Sequence, residues 1–402
     1  MSERFQTAVM MGLGYIGLPT AALMAKKGIQ VTGVDVNADV VETINRGEIH
    51  IVEPELDGLV KYVINAGLLK ASNQPVEADV FLVAVPTPFK DDHIPDLKYV
   101  ESATQMVIPC LRKGNLFIIE STSPIFTTER MAELIFEQRP ELKDKIFIAY
   151  CPERVLPGNV IYELENNDRV IGGMDKKSTE AAKAFYQKFV KAPLHPTNSR
   201  TAEMCKLVEN SSRDVNIAFA NELSIICDKA GINVWELITL ANKHPRVNIL
   251  QPGTGVGGHC IAVDPWFLVS DFEKEARIIR TAREINNYKT LWVLEKIKAT
   301  ILQFQKNNNQ SPKVALMGLA FKPNIDDLRE SPAKYVVHQM LVFGEAEYFI
   351  VEPNLKKSEE FELTYYLDAW ENSDIVVFLV AHREFLALER KPGELDFCGI
   401  RK

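Results

Sequence analysis

Apolar residues fall along this chain in short runs, with longer stretches of mixed character between them. Thr7 to Met11 is one such run. It enters Gly12-Leu13-Gly14-Tyr15-Ile16-Gly17 and then a helix-like stretch from Leu18 to Lys27. A second run, Gln30 to Val34, ends in Asp35, and others cover Val80–Val85, Leu116–Glu120 and Lys145–Tyr150. Short apolar runs with helical stretches between most of them predict a parallel sheet covered on both faces. This first α/β unit extends to about residue 196.

From Arg200 to Ala230 the period changes to three and four, placing Ala218, Phe219, Leu223, Ile226 and Cys227 on one stripe. The spacing predicts a helix of roughly eight turns, of the kind that links domains or forms a subunit seam. Asn307-Asn308-Asn309-Gln310-Ser311-Pro312 reads as a polar linker. Beyond it Lys313–Leu319, Tyr348–Val351 and Ile375–Val380 are apolar strands separated by helical segments. They make a second, smaller α/β unit that echoes the first.

At 402 residues the chain exceeds one core and fits two or three domains. Its composition, 25% charged and 46% apolar, is that of an ordinary globular protein. A net charge of −8 argues against a nucleic-acid partner, which would call for a basic footprint. It leaves room for an anionic substrate, since local basic sites bind phosphate inside acidic proteins. The six cysteines show no C-x-x-C pair and the seven histidines no metal-ligand spacing, so no metal is expected. Met-Ser-Glu-Arg-Phe leads straight into a strand and is not read as a signal peptide. No apolar run approaches the ~20 residues of a membrane span. The expectation is a cytoplasmic protein without membrane contact, its thiols reduced.

The Gly12–Gly17 segment has the context a dinucleotide fingerprint demands: a strand before, a helix after, and Asp35 ending the next strand 18 positions past Gly17. Gly12 permits the tight turn, Gly14 lets a pyrophosphate approach, and Gly17 lets helix and sheet pack closely. The helix N-terminus offers unpaired N–H groups to the phosphates. Asp35 would bind ribose hydroxyls and repel a 2′-phosphate, which favours NAD over NADP. The alternative is a flavin site or a degenerate unit of the same fold. The turns Val85-Pro86-Thr87-Pro88 and Ser121-Thr122-Ser123-Pro124 fall where such folds place ligand contacts, beyond the carboxyl ends of strands. The fold class expected is α/β: two Rossmann-like, doubly wound parallel-sheet domains joined by a long central helix.

Residues 251–264, Gln-Pro-Gly-Thr-Gly-Val-Gly-Gly-His-Cys-Ile-Ala-Val-Asp, carry the second chemical signal. Gly253, Gly255, Gly257 and Gly258 let backbone lie close to a ligand. A thiol delivered by such a loop, in a chain with a dinucleotide fingerprint, points to oxidation through a covalent sulfur adduct. The alternative for Cys260 is a buried structural cysteine. His259 stabilises a thiolate or is only a spacer. Asp264 belongs to the site or to a surface loop. Lys206, Asn210 and Arg213 fall on one helix face, where a lysine and an amide could hold an oxyanion and shuttle a proton. The bland reading is a solvated face. His244-Pro245-Arg246 lies just upstream of the glycine loop, its basic groups suited to a phosphate or sugar.

Together these residues resemble the UDP-glucose/GDP-mannose dehydrogenase family across essentially the whole chain. The resemblance rests on Gly12–Pro19, Val85–Pro88, Glu120–Ser123, Cys151-Pro152-Glu153-Arg154, Lys206–Asn210, Pro252–Asp264 and Gly318-Leu319-Ala320-Phe321-Lys322. The segments 49–54, 151–158, 167–173, 244–249 and 324–332 look like the branch acting on N-acetylated sugars. The resemblance implies three parts: an NAD domain (1–196), a central helical part for dimerisation and the catalytic loop (197–305), and a UDP-sugar-binding domain (306–402). It implies a homodimer through the central helix. The implied reaction is a four-electron oxidation of UDP-N-acetylmannosamine at its primary alcohol, with two NAD+ and one water, for bacterial surface polysaccharide. Its glucosamine or galactosamine counterpart is the alternative substrate, and a non-catalytic nucleotide-sugar binding protein the reading from another class.

By the same resemblance Cys260 forms the thiohemiacetal and thioester, with Asp264 in the catalytic set. Lys206 and Asn210 hold the oxyanion and substrate, with Lys206 moving protons. Glu153 and Thr122 handle water, with Thr122 also beside the nicotinamide. Arg154, Val155, Arg213, His244, Arg246, Gly257, Phe321 and Lys322 hold UDP-sugar, with the partner subunit's site as the alternative for Arg246. Tyr15, Ile16, Asp35, Thr87 and Arg329 hold NAD, with the fingerprint glycines. Three departures stand out. Ile125-Phe126-Thr127-Thr128 occupies a turn where the family often has glycine, so a left-handed backbone there is strained by Phe126. Residues near 139–146 look short. Cys398 stands where a basic residue is usual.

Overall fold

The computed structural model describes residues 5–90, 94–155, 158–258 and 260–402. The chain divides into two compact units, 1–208 and 209–402. Strands of the first are β1 (Thr7–Met11), β2 (Gln30–Val34), β3 (Leu69–Ser72), β4 (Val80–Val83), β5 (Leu116–Ile119), β6 (Phe147–Tyr150), β7 (Arg169–Gly173) and β8 (Leu194–Asn198). Its helices are α1 (Gly17–Lys26), α2 (Ala38–Asn45), α3 (Leu56–Asn65), α4 (Lys98–Val107), α5 (Thr127–Gln138), α6 (Val160–Asn166) and α7 (Lys176–Tyr186).

Side-chain alternation explains why the central strands are apolar throughout. Ala8 and Met10 of β1, Val80 and Leu82 of β4, and Leu116 and Ile118 of β5 enter one core. Val9 and Met11, Phe81 and Val83, and Phe117 and Ile119 enter another, across the sheet. Both faces are covered, so neither can be polar. The sheet runs β3-β2-β1-β4-β5-β6-β7-β8. Every pairing in it is parallel except β6 with β7, which is antiparallel. The order reverses at β1, so β1 and β4 open a crevice at their carboxyl ends, where such sheets bind ligands.

The boundary between the units falls inside α8 (Ser199–Ala230). The second unit continues through α9 (Val234–Ala241), α10 (Asp264–Asp271) and α11 (Arg277–Asn308). It then builds β9 (Lys313–Met317), α12 (Pro332–Phe343), β10 (Glu347–Val351), α13 (Tyr366–Asn372), β11 (Ile375–Phe378) and β12 (Glu394–Asp396). Its sheet is parallel, in the order β10-β9-β11-β12. Ser331 caps α12 by accepting the Lys334 amide at 3.3 Å, with Pro332 at the first helical position. The polar run expected as a linker from Asn307 is shorter than that. The helix α11 continues to Asn308, and Asn309 ends it at φ +51°, a conformation asparagine tolerates. Among the described residues no helix is long and apolar enough to cross a membrane.

Candidate active site

The first unit gives the glycine fingerprint a concrete geometry. Gly12 sits at φ +93°, and a Cβ there would run into the Ala84 carbonyl. A Cβ on Gly17 would strike the Gly12 carbonyl, so helix and strand approach as closely as backbone allows. Gly14 faces open space with nothing within 4 Å of where a side chain would start. Tyr15 is exposed and Ile16 precedes α1 as its N-cap. Asp35 closes the mouth of the turn: Oδ2 accepts the Leu13 amide at 3.0 Å and Oδ1 the Asn37 amide at 2.9 Å. Each oxygen keeps acceptor capacity for a ribose hydroxyl. An open glycine, a helix N-terminus and a fixed carboxylate at the end of β2 fit NAD.

The strand-end turns interlock. The Thr87 hydroxyl donates to the Thr122 carbonyl at 2.6 Å, and Ser121 Oγ accepts the Val85 amide at 2.9 Å. Behind them Glu120 accepts from the Tyr186 hydroxyl at 2.6 Å and lies 3.7 Å from the Arg169 guanidinium. Burial pushes the Glu120 carboxyl up, against the pull of Arg169 and Tyr186. Burial also pushes the Cys151 thiol up to about 11. Glu153 is buried, and its Oε1 has no hydrogen-bond partner among the described residues. Arg154 donates to the Asp168 carbonyl at 3.1 Å, and Val155 beside it is half-buried.

In the second unit the glycine loop is held at several points. The Gly253 amide donates to Asn221 Oδ1 at 2.9 Å, the Thr254 hydroxyl to the Leu379 carbonyl at 2.6 Å, and the Gly258 amide to the Arg329 carbonyl at 3.1 Å. A Cβ on Gly257 or Gly258 would collide with Phe321, so these glycines are needed for the loop to lie on the segment after β9. Cys260 is exposed, the one exposed thiol of the six, and none is in a disulfide. The alternative of a buried packing cysteine does not hold. His259 lies outside the described residues. Asp264 is buried at the start of α10, its Oδ2 accepting from Asn210 Nδ2 at 2.5 Å and its amide donating to the Cys260 carbonyl at 2.9 Å. The surface-loop alternative for Asp264 falls too.

The remaining expected residues are more scattered. Lys206 is half-buried in the first unit, two residues before the boundary. Arg213, His244, Arg246 and Lys322 are exposed in the second, and Phe321 is half-buried there. Arg329 is exposed and paired with Asp327 at 2.6 Å. The turn carrying His244 and Arg246 is closed by Asn242, which accepts the Ile249 amide at 2.7 Å and donates to the Ile249 carbonyl at 2.9 Å. Cys398 belongs to a turn wound around Asp396, whose Oδ1 accepts the Cys398, Gly399 and Ile400 amides. Sequence reasoning missed Glu203, Asn221 and Asn242. Glu203 lies one turn before Lys206, and that adjacency was the available signal.

Comparison with known proteins identifies the family. Residues 6–190 match the NAD binding domain of the UDP-glucose/GDP-mannose dehydrogenase family, 200–288 its central domain and 315–395 its UDP binding domain. The chain is 55% identical over 397 residues to UDP-N-acetyl-D-mannosamine dehydrogenase of Escherichia coli (strain K12), covering 95% of this chain and 94% of that one. It is 51% identical to an NDP-N-acetyl-D-galactosaminuronic acid dehydrogenase of Ralstonia nicotianae, covering 96% and 93%. The solved UDP-D-ManNAc dehydrogenase of Pyrococcus horikoshii superposes with a TM-score of 0.87 at 36% identity, covering 98% and 96%. This chain therefore belongs to the UDP-glucose/GDP-mannose dehydrogenase family, and is an NAD-dependent oxidoreductase of nucleotide sugars.

Proposed function

We propose that this enzyme oxidises UDP-N-acetyl-D-mannosamine to UDP-N-acetyl-D-mannosaminuronate, consuming two NAD+ and one water. The observation that carries the reading is the exposed Cys260 on its glycine loop, beside the buried Asp264–Asn210 pair. NAD+, when bound, supplies the hydride acceptor for both two-electron oxidations. Gly12, Gly14, Tyr15, Ile16, Gly17, Asp35, Thr87, Thr122 and Arg329 are the residues proposed to hold it. Cys260 adds to the aldehyde carbon as a thiohemiacetal, which oxidation converts to a thioester. Lys206 and Asn210 steady the oxygen that carries negative charge, Lys206 moves protons, and Asp264 orients the Asn210 amide. Glu153 takes a proton from the attacking water, with Thr122 positioning it, and the thiolate leaves as the carboxylate forms. Arg154, Val155, Arg213, His244, Arg246, Gly257, Phe321 and Lys322 grip the UDP-sugar.

Three working parts divide this labour: an NAD domain at 1–196, a central dimerisation and catalytic-loop part at 197–305, and a UDP-sugar domain at 306–402. The reading also includes a homodimer and a cytoplasmic enzyme. Incubation with UDP-N-acetylmannosamine and excess NAD+ should release two NADH per sugar. One NADH with accumulating aldehyde overturns the thioester scheme, and unchanged sugar nucleotide overturns the enzyme reading. The Ralstonia relative favours a second substrate reading, the N-acetylgalactosamine nucleotide. Comparing kcat/KM for the mannosamine, glucosamine and galactosamine nucleotides decides between them.

A further inference from the structure

The turn that carries Thr122 ends in left-handed backbone that its own residues secure only through Thr127, whose hydroxyl donates to the Pro124 carbonyl at 2.7 Å. Phe126, the N-cap of α5, sits at φ +74° and ψ 2°, with no cap from its own side chain. The left-handed region puts an ordinary Cβ against the following carbonyl, so a bulky residue persists there only when its surroundings insist. The insistence comes from α8. Glu203, fully buried, accepts the Phe126 amide through Oε2 at 2.8 Å. Its Oε1 accepts both the Thr128 amide at 2.7 Å and the Thr128 hydroxyl at 2.6 Å. One carboxylate thereby satisfies two of the unpaired amides that open α5, at the end of the helix that favours negative charge. Burial pushes the Glu203 carboxyl up, and the Thr128 hydroxyl and the two amides offset that push.

The other end of the same turn is fixed by the bond from the Thr87 hydroxyl to the Thr122 carbonyl. Arg200, one turn before Glu203, stacks 5.0 Å over the Phe126 ring and pairs with Glu129 of α5 at 2.6 Å. The helix that supplies the clamp is the one that carries Lys206, three residues further on. We infer that Glu203 is a positioning residue for the oxidation, clamping the Thr122 turn to the helix that bears Lys206. The inference rests on the reading that Thr122 and Lys206 belong to the active site. Glu203 itself touches neither substrate nor cofactor. It acts by fixing where the Thr122 backbone and the Lys206 helix stand relative to each other.

The test uses the full-length enzyme, with UDP-N-acetylmannosamine and NAD+ as probes. In Glu203→Gln the amide group turns a donor toward either Phe126 or Thr128, so one backbone N–H loses its acceptor. We expect kcat for NADH formation to fall about tenfold or more, while KM for the sugar nucleotide changes little and the melting temperature drops by only a few degrees. Adding Phe126→Gly should recover most of the lost kcat, because glycine holds a positive φ without a clamp. A folded Glu203→Gln with ordinary kcat overturns the inference. So does a loss that Phe126→Gly does not recover and that tracks a lowered melting temperature. If Glu203→Gln does not fold, Thr128→Val decides: it removes only the hydroxyl bond, and an unchanged kcat refutes the role. Lys206→Ala with full turnover overturns the site reading and the clamp with it, whereas an inactive Lys206→Ala beside a fully active Glu203→Gln overturns the clamp alone.

Discussion

Cys260 differs from its five sister cysteines in where its sulfur stands. Burial pushes the Cys110, Cys151, Cys227 and Cys398 thiols up, against thiolate formation. Cys260 follows four glycines and meets solvent, so a carbonyl carbon can reach it. Cys260→Ser should leave NAD binding intact, because Asp35 and the fingerprint glycines lie in the other unit. It should lower turnover to the acid by a factor on the order of a hundred or more, as serine is the weaker unactivated nucleophile. Calorimetry for NAD and a steady-state assay for the acid check this. Ordinary turnover in the variant would remove the nucleophile's assignment. At this scale the sequence was readable where one residue type has one physical use. A bulky residue in place of a turn glycine implied strained backbone at Phe126, and φ is +74°. The burial of Asp264 was not readable, because an aspartate at a helix start suits solvent as well as a site.

Between elements, the second unit adds buried polar bonds to its apolar cores. Asp214 on α8 accepts from Arg283 at 2.6 Å and Asn286 at 2.8 Å, both on α11, and Asn286 accepts from Asn221 at 2.8 Å. Asn221 in turn holds the Gly253 amide, so the two long helices and the glycine loop share one chain of hydrogen bonds. A second network anchors the segment after β9. Glu352 accepts the Leu319 and Ala320 amides at 2.8 and 2.9 Å and the His382 Nε2 hydrogen at 3.0 Å. His382 Nδ1 accepts the Asn324 amide at 3.0 Å, which puts the ring proton on Nε2. Burial alone would raise the Glu352 carboxyl, but the His382 bond and the Leu319 and Asn354 amides hold it down to about 2.

A depressed carboxyl contributes stability above its ordinary value of 4.5 and loses it as pH falls toward about 2. Urea midpoints should therefore fall between pH 5 and pH 3, and Glu352→Gln should flatten that fall while costing roughly 1–3 kcal/mol at pH 7. Parallel curves for the two proteins would deny Glu352 this role. Neither network could be seen in sequence, since each joins residues far apart through polar side chains that also suit a surface. Strands were visible where both faces are buried, as in Val80–Val83 and Leu116–Ile119. β3, β7 and β8 escaped notice because Leu-Lys-Ala-Ser, Arg-Val-Ile-Gly-Gly and Leu-His-Pro-Thr-Asn lack an apolar run.

At the scale of the whole molecule, the stripe on α8 divides into two destinations. Ala218 and Cys227 are buried within the second unit, whereas Phe219 and Ile226, seven residues apart and so on one helix face, are 52% and 55% exposed. An isolated surface apolar residue means little, but two in register on a long helix favour a covered seam. A homodimer through α8 would cover them, and it is also the assembly in which Arg246 could serve the partner's site. Sedimentation should then give twice 45.3 kDa for the native protein. Phe219→Glu with Ile226→Glu should shift it toward 45.3 kDa, because two buried carboxylates without partners oppose association. If Arg246 acts across the seam, kcat/KM should fall with the dimer and recover at high protein concentration. A double variant that sediments and turns over like the native enzyme would place the seam elsewhere, and a native protein at 45.3 kDa would dispense with it altogether.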